Sequence, residues 1–253
     1  MKKTFIIAAC IALFSIQFTS AQDGKVVDFT ASLQTNHLWR GLVITDKPMA
    51  AVLTTFNPDK KGIFTFGFWG GTSFSNESDN THYKEINYYL QCASHGFSIG
   101  LWDLFNTRGV QNPDIWNYDK KETRHLLDLR TSYKFSESLP LRLELDMLMY
   151  GSGDTELKDS GDDVKQRYST YTQVSYDIHS DIVTLTPFIG AGFSLNGETH
   201  LYGNGKHNFD IVNMGITAAK QVKIGSWNLP VSATTMWNPS TKYARVQLAV
   251  TLF

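Results

Sequence analysis

Apolar and polar residues alternate along many short segments of the chain. In Leu141–Tyr150 (LRLELDMLMY), every odd-numbered position is Leu or Met, and Arg142, Glu144 and Asp146 fall between them. Side chains of a β-strand point alternately to its two faces, so the pattern predicts a strand with one apolar and one charged face. In a soluble sandwich the apolar face packs in the core, whereas in an outer-membrane barrel it contacts lipid and the charges line the lumen.

Segments of this kind follow one another along the chain, and no helical period appears after the N-terminal region. Each apolar face is about five positions long, near the ~9–11 residues that a tilted membrane-spanning strand needs. We predict twelve strands, an even number: 25–41, 48–57, 62–73, 82–94, 97–106, 124–136, 140–151, 167–179, 181–195, 209–223, 226–238 and 243–253.

The connections between these strands alternate in length. Short turns fall at NPDKKG, SHG, SESLP, HSD and KIGS, and longer polar links fall at 41–48, 72–82, 106–123, 151–167, 195–208 and 238–243. Bacterial outer-membrane barrels have short periplasmic turns and longer outer loops, an asymmetry for which a soluble sandwich has no reason. We therefore predict an all-β fold, a transmembrane antiparallel up-and-down β-barrel of about twelve strands.

Other strands support the same assignment of faces. In the segment from Leu127 to Phe135, apolar residues alternate with Asp128, Arg130 and Ser132, and the last strand alternates in the same way. Aromatic residues also gather near strand ends, as in the girdles of membrane barrels. We expect such girdles to contain Trp39, Trp69, Trp102, Tyr150, Trp227, Trp237 and Tyr243.

The N-terminus is predicted to be a targeting segment. MKK is followed by an apolar run from Phe5 to Phe18 and by TSA before Gln22, the pattern of a secretory signal peptide. We expect residues 1–21 to be the signal peptide and 22–253 to be the barrel domain. A weaker alternative is a lipoprotein box ending at Cys10. With residues 1–21 removed, Cys92 would be the only cysteine of the mature chain, which excludes an internal disulfide framework.

Three N-terminal motifs carry a resemblance to a known family. TNHLWRGLVITDKP, GIFTFGFWGGTSF and YKEINYYL, in this order over roughly 28–105, resemble the TorF-type porin family. The resemblance implies an outer-membrane barrel that passes small solutes, and it names no substrate. Phe253 departs from the usual pattern, because it shares its parity with Arg245 rather than with the apolar face. The matching positions are Trp39, Arg40, Gly41, Asp46, Pro48, Gly67, Trp69 and Glu85.

Charged residues of both signs are predicted to face the lumen. The hairpin of strands 124–136 and 140–151 has a register that places Arg130 opposite Asp146 and Ser132 opposite Glu144, and opposite charges on one face attract. Two interpretations remain open: a small polar pore with transverse charge separation, or an interior filled by ion pairs. The predicted pore-lining residues are Arg40, Glu85, Asp128, Arg130, Arg142, Glu144, Asp146 and Arg245.

The sequence favours no catalytic site. Outer-membrane phospholipases place His and Ser two positions apart on one strand, because the base must reach the nucleophile, and none of the seven histidines has this neighbour. No zinc spacing, phosphate loop or dinucleotide motif is present, and we predict no metal or cofactor. The carboxylates of loop 151–167 do not have EF-hand spacing, which favours a solvated acidic loop: Asp154, Glu156, Asp159, Asp162 and Asp163.

The favoured function is a barrel in the outer membrane of a Gram-negative bacterium that passively admits small polar solutes. Its expected partners are outer-membrane lipid, these solutes and the barrel-assembly machinery; a formal net charge of −1 argues against nucleic acid. The alternatives are a non-conducting barrel whose outer loops, chiefly 106–123 and 151–167, bind a ligand or surface, and, more weakly, a lipid-modifying enzyme.

Overall fold

The computed structural model describes residues 26–59, 61–158, 160–161 and 163–252, so the predicted signal peptide and Phe253 lie outside the described residues. Twelve long strands form the wall of the molecule. They are β1 (Val27–Gln34), β2 (Met49–Phe56), β3 (Phe64–Ser73), β4 (Lys84–Ser94), β5 (Phe97–Asn106), β6 (His125–Lys134), β7 (Leu141–Tyr150), β8 (Ser169–Tyr176), β9 (Thr184–Ser194), β10 (Phe209–Ile224), β11 (Trp227–Asn238) and β12 (Tyr243–Thr251).

These strands form a closed antiparallel barrel. Each pairs with the next along the chain, and β12 pairs with β1, so the sheet has no free long edge. The predicted all-β barrel of twelve strands is therefore confirmed. The predicted register of β6 and β7 is also correct, since Arg130 pairs with Asp146 and Ser132 with Glu144.

The closing seam between β1 and β12 is short. Its ladder has three residue pairs, which begin at Ser32 with Thr251 and end at Gln34 with Ala249. Above Gln34 the chain leaves the wall, while β12 continues upward for six more residues, 243–248. Asn36 replaces part of the missing ladder, because its Nδ2 donates to the carbonyl oxygen of Val246 at 3.0 Å.

The two faces of the wall have opposite character. On β7, Leu143 and Leu145 are 40% and 51% exposed, whereas Glu144 and Asp146 are 5% and 3% exposed. A wall with apolar side chains outside and charges inside suits lipid as the outer solvent, and a closed barrel leaves no backbone group unpaired in it. The alternation of apolar and charged residues along Leu141–Tyr150 is thus that of a membrane-spanning barrel. Within the described residues, no helix has the length and apolar character needed to cross a membrane.

The connections alternate as predicted. The five short turns lie at one end of the barrel, here called the short-turn end, and the longer connections lie at the other, the long-loop end. The first predicted strand, 25–41, is wrong in its second half: the wall strand ends at Gln34, and residues 37–45 form a separate hairpin of His37–Trp39 and Leu42–Thr45. A second small hairpin, Thr155–Leu157 with Val164–Gln166, lies in the loop between β7 and β8.

The predicted aromatic girdle is only partly correct. Trp227 and Trp237 are exposed on the outer face, at 67% and 48%. Trp69 is buried inside the barrel, and Trp102 stacks on the inward Tyr89 with 4.3 Å between ring centroids. Position at a strand end was therefore a poor guide, because parity decides which face an aromatic residue occupies. The girdle prediction is also wrong for Trp39 and Tyr243, because both side chains turn toward the interior.

We expect the outer face to resist charge in a depth-dependent way. Leu145 lies in the middle of β7 and Met149 near its long-loop end. Leu145→Arg should lower the free energy of unfolding from lipid vesicles by ~2–4 kcal/mol, and Met149→Arg by only ~0–1 kcal/mol. Equal costs at the two positions would contradict the placement of this face in a bilayer.

Candidate functional site

The hairpin 37–45 folds into the barrel lumen and contacts both sides of the wall. Near β3, the His37 ring lies 5.3 Å from that of Trp69 and 5.6 Å from that of Tyr83. On the other strand of the hairpin, Ile44 packs against the buried cluster of Met49, Ala51, Trp69 and Tyr83. Trp39 and Leu42 pack against a second buried cluster, formed by Leu148, Tyr171, Tyr202 and Val212. The hairpin thus closes the long-loop half of the lumen.

The tip of the hairpin is a two-residue turn with an unusual backbone. Arg40 and Gly41 have φ values of 50° and 83°, as in the type I′ turns that suit tight hairpins. A Cβ at Gly41 would lie 2.0 Å from the carbonyl oxygen of Val212 on β10, so this position has no room for a side chain. Asn238 Nδ2 and the Tyr243 hydroxyl donate to the Gly41 oxygen at 3.0 and 2.9 Å. The Trp-Arg-Gly motif is therefore the tip that docks the hairpin on β10–β12.

Arg40 is the centre of a buried ion cluster. Its guanidinium donates to both carboxylate oxygens of Asp128, at 3.1 and 2.9 Å, and to Asp146 at 2.7 Å. It also donates to the hydroxyl of Tyr202 at 3.1 Å. Side-chain exposure is 7% for Arg40, 0% for Asp128 and 4% for Asp146. Removing one partner from such a cluster leaves an uncompensated buried charge, which costs ~3–5 kcal/mol.

Arg130 shares one of these carboxylates. Its Nε donates to Asp128 at 2.7 Å, and its guanidinium carbon lies 4.1 Å above the Trp102 ring. Arg130 faces Asp146 across the strand pair, but the Asp146 carboxylate binds Arg40 and the Thr131 amide instead. The expected attraction across the strands is thus replaced by a contact 106 residues away in sequence, which strand parity does not reveal.

The other predicted pore-lining residues have varied surroundings. Glu85 accepts hydrogen bonds from Tyr83, Asn87 and Asn106 at 3.1, 2.8 and 3.0 Å. Arg142 and Glu144 lie on the same face of β7, with 3.9 Å between Nη1 and Oε1, too long for a hydrogen bond. Arg245 is half-exposed near the long-loop end and pairs with Asp46 of the first loop at 3.2 Å.

The lumen is filled more densely on one side than on the other. On β3–β7, inward side chains from the short-turn end upward are buried, including Thr65, Ser98, Ser132 and Leu148. On β10 and β11 small, half-buried residues face inward below the hairpin, and Thr217 and Thr234 bond each other through their hydroxyls at 2.9 Å. The half-buried Phe188 of β9 faces inward beside Gly215. Water therefore reaches the lumen beside β10 and β11, below the hairpin. We call this space the vestibule; Thr217, Ala219, Ser232 and Thr234 line it.

The histidine at the top of β6 faces outward. His125 is fully buried under the loop between β5 and β6, where its ring stacks between Phe105 and Tyr118 at 4.3 and 4.1 Å. Its Nδ1 contacts Asp103 at 2.7 Å, and its Nε2 contacts the Ile115 carbonyl oxygen at 2.9 Å. Both ring nitrogens are engaged, so in this arrangement His125 clamps the loop to the outer wall.

The acidic loop differs from the solvated loop that we expected. Asp154 is fully buried, and it accepts hydrogen bonds from the Ser169 amide at 2.9 Å and from Gln166 Nε2 at 3.0 Å. Burial raises the pKa of Asp154, and these bonds oppose the shift. Lys120 and Lys158 bind Asp163 and lower its pKa. Glu156 pairs with Lys165, while Asp159 and Asp162 lie outside the described residues.

Sequence reasoning missed the tyrosines of the cluster. Tyr202 lies in the loop between β9 and β10, where no period marks it, yet it is fully buried. Tyr171 is near the top of β8, and the Arg40 guanidinium carbon lies 5.6 Å from its ring. The parity of β8 was available as a signal for Tyr171, because Tyr171 shares its face with Gln173. Nothing in the sequence pattern connects Tyr202 to Arg40.

No protein-family model and no curated protein matches the chain. The translocator domain of autotransporter NalP from Neisseria meningitidis is similar in structure, with a TM-score of 0.44, 13% identity, and 92% of this chain and 89% of that chain covered. CdiB from Acinetobacter baumannii has a TM-score of 0.33 and 13% identity, with 93% of this chain but only 45% of that chain covered. The barrel assignment itself rests on the strand pairing, and we draw no function from these likenesses.

A double-mutant cycle will measure the coupling free energy between Arg40 and Asp146. Arg40→Met should lower the free energy of unfolding by ~3–5 kcal/mol, because two buried carboxylates lose their shared cation. Asp146→Asn alone should also destabilise the barrel, but adding it to Arg40→Met should cost less than it does alone, since one unpaired charge then disappears. Denaturant unfolding of the four proteins in lipid vesicles checks this. Strictly additive costs would contradict direct coupling between Arg40 and Asp146.

Proposed function

We propose that the protein is an outer-membrane barrel that admits small polar solutes through a lumen gated by the hairpin 37–45. The arrangement that carries this proposal is the hairpin itself, which blocks the long-loop half while leaving a vestibule of small side chains beside β10 and β11. Twelve strands lie between the number that side chains fill completely and the number that leaves a wide channel. Displacement of one short segment would therefore open a narrow path.

The charges around this path suit passage of polar solutes. With the hairpin displaced, Asp128 and Arg130 of β6 and Arg142 and Asp146 of β7 would line one side of the constriction. Rings of charged side chains select solutes by size and sign in membrane channels. The mechanism proposed is diffusion, with the Arg40 ion cluster setting the free energy that opening requires.

The proposed location is the outer membrane of a Gram-negative bacterium. The apolar outer face supports a bilayer environment, and the short-turn end would face the periplasm, as in bacterial barrels of this type. Outer-membrane lipid and the barrel-assembly machinery are the expected partners, and we expect no enzymatic activity and no nucleic-acid binding. The hairpin tip would then approach the lumen from the extracellular side.

A second candidate function is supported by the loop between β5 and β6. Trp116 is 84% exposed on this loop, which His125 and Tyr118 hold against the outer wall. An exposed aromatic residue on a fixed loop suits a contact with a ligand or a surface. Under this alternative the barrel would be a non-conducting scaffold.

Conductance in planar bilayers tests the gated pore. The wild type should conduct rarely, whereas a variant with residues 37–45 replaced by a short Gly-Ser linker should show a larger and more frequent open state. Arg40→Met should raise the open probability without changing the size of the open channel, because the hairpin remains but loses its anchor. Met149→Arg, on the outer face, provides a charge-altering control that should conduct like the wild type.

Folding of each variant is established by its heat-modifiable migration on gels. A folded hairpin-replacement variant that stays silent would contradict the gated pore and favour the non-conducting scaffold. In that case, Trp116→Ala should weaken binding of cells or lipid surfaces by the protein, while the conductance stays absent.

A further inference from the structure

A row of inward-facing residues crosses four neighbouring strands below the hairpin. Glu144 on β7 pairs with Gln173 on β8, which pairs with Gly190 on β9, which in turn pairs with Asn213 on β10. Residues that pair across strands share a face, so all four positions point into the lumen. Gly190 leaves room there for the Tyr171 hydroxyl, since a Cβ at Gly190 would lie 2.3 Å from that oxygen.

The row and its neighbourhood contain buried groups with spare hydrogen-bonding capacity. Among the described residues, Glu144 Oε1, Asn213 Oδ1 and Arg142 Nε are buried and have no hydrogen-bond partner. Glu144 and Asn213 are 5% and 7% exposed. A buried polar group left without a partner costs roughly 1–3 kcal/mol, and more when it is charged. Three such groups in one region of the lumen therefore favour a ligand that supplies both donors and an acceptor.

Neighbouring bonds fix the orientation of Asn213. Its Nδ2 donates to the Tyr171 hydroxyl oxygen at 2.8 Å and to Gln173 Oε1 at 3.2 Å, and the Tyr171 hydroxyl donates to Gln173 Oε1 at 2.6 Å. Both contacts of the amide use its nitrogen, so Oδ1 remains as an acceptor. The same network holds Gln173 through its Oε1.

The charges nearby leave Glu144 as the carboxylate with the weakest compensation. Asp128 binds Arg40 and Arg130, and Asp146 binds Arg40. Among the described residues, Glu144 forms an ion pair with Arg142 alone, with 3.9 Å between their nearest polar atoms. A cationic group that reaches Glu144 therefore finds a negative charge not yet neutralised by a hydrogen-bonded partner.

Arg142 provides the opposite charge at the accessible side. It is the second residue of β7, near the short-turn end, and its side chain is 15% exposed. Its Nε is buried and has no hydrogen-bond partner in the described part of the chain. Guanidinium donors suit a carboxylate, because guanidinium–carboxylate bonds are charge-assisted. Glu144 lies two residues deeper on the same face, so a bound molecule would meet Arg142 first and Glu144 further in.

We infer that the Arg142–Glu144 face of β7, with Asn213 as an additional acceptor, binds small zwitterions of the α-amino-acid class from the short-turn end. The carboxylate of the ligand binds Arg142, and its ammonium group binds Glu144. The ligand would lie between the Arg142 guanidinium and the Glu144 carboxylate, which are close together but not hydrogen-bonded. Binding at this site does not require that the barrel conducts, since Arg142 lies near the short-turn end of β7, below the hairpin.

Saturation-transfer difference NMR on the full chain in detergent micelles tests this with four probes of similar size. Alanine carries both charges, alaninamide only the ammonium group, propionate only the carboxylate, and propanediol neither. Alanine should bind at least ~10-fold more tightly than any of the others, which corresponds to the loss of one charge-assisted hydrogen bond. These comparisons use the wild type and do not depend on the folding of any variant.

Variants then locate the site. Glu144→Gln should weaken alanine binding by about tenfold or more, whereas Glu137→Gln, the same change on an exposed turn, should leave it unchanged. Equal binding of alanine and alaninamide would overturn the assignment in favour of a simple cation site. Absence of alanine binding at concentrations on the order of 10 mM, or binding unaffected by Glu144→Gln, would overturn the site itself. None of these results alters the conductance test of the gated pore.

Discussion

The bond between Arg40 and the two carboxylates of β6 and β7 is the constraint on which the lumen depends. Asp128 and Asp146 have side-chain exposures of 0% and 4%, and each would be costly in the barrel interior without a cation. Arg130 on the wall pairs with Asp128, but the cation bound to Asp146 is carried by the hairpin 37–45. The wall therefore cannot bury the Asp146 charge favourably unless the hairpin is inside. Insertion of the hairpin thus blocks the lumen and neutralises the buried Asp146 carboxylate at the same time. Neither change can occur without the other.

This coupling explains the asymmetry of the interior. The hairpin places the Arg40 guanidinium against β6 and β7. Its tip docks on β10–β12, where Gly41 lies against Val212. Below the hairpin, small half-buried side chains of β10 and β11 face the lumen, and water reaches them. The lumen is thus divided into a dry half along β3–β7, held by ion pairs and aromatic rings, and a wet half beside β10 and β11. A barrel of this size has room for both.

The strands of the wall were predictable from the sequence, but the inserted hairpin 37–45 was not. Alternation identifies strands and faces because burial imposes a period of two, and this was sufficient for the register of β6 with β7. It was insufficient for residues 35–41, because the hairpin continues the same alternation after leaving the wall, and His37–Trp39 resembles more of β1. Arg-Gly after Trp39 carried the missing signal: two positive φ values in succession make a turn. The contact of Tyr202 with Arg40 spans 162 residues and has no local pattern.

The path of the first loop has a consequence for how the polypeptide acquires its structure. The hairpin follows directly after β1, near the beginning of the described chain, yet Val212, Asn238 and Tyr243, which contact its tip, belong to the three strands at the other end. Its docking site therefore does not exist until nearly the whole chain is present, and the three-pair seam between β1 and β12 completes the same neighbourhood. Contacts of such large sequence separation form slowly, because loop closure precedes any gain in free energy. Insertion of the hairpin and closure of the circle should therefore be the last steps of assembly, and until then the unpaired edge of β1 and the Asp146 charge of β7 lack the partners that they have in the finished barrel.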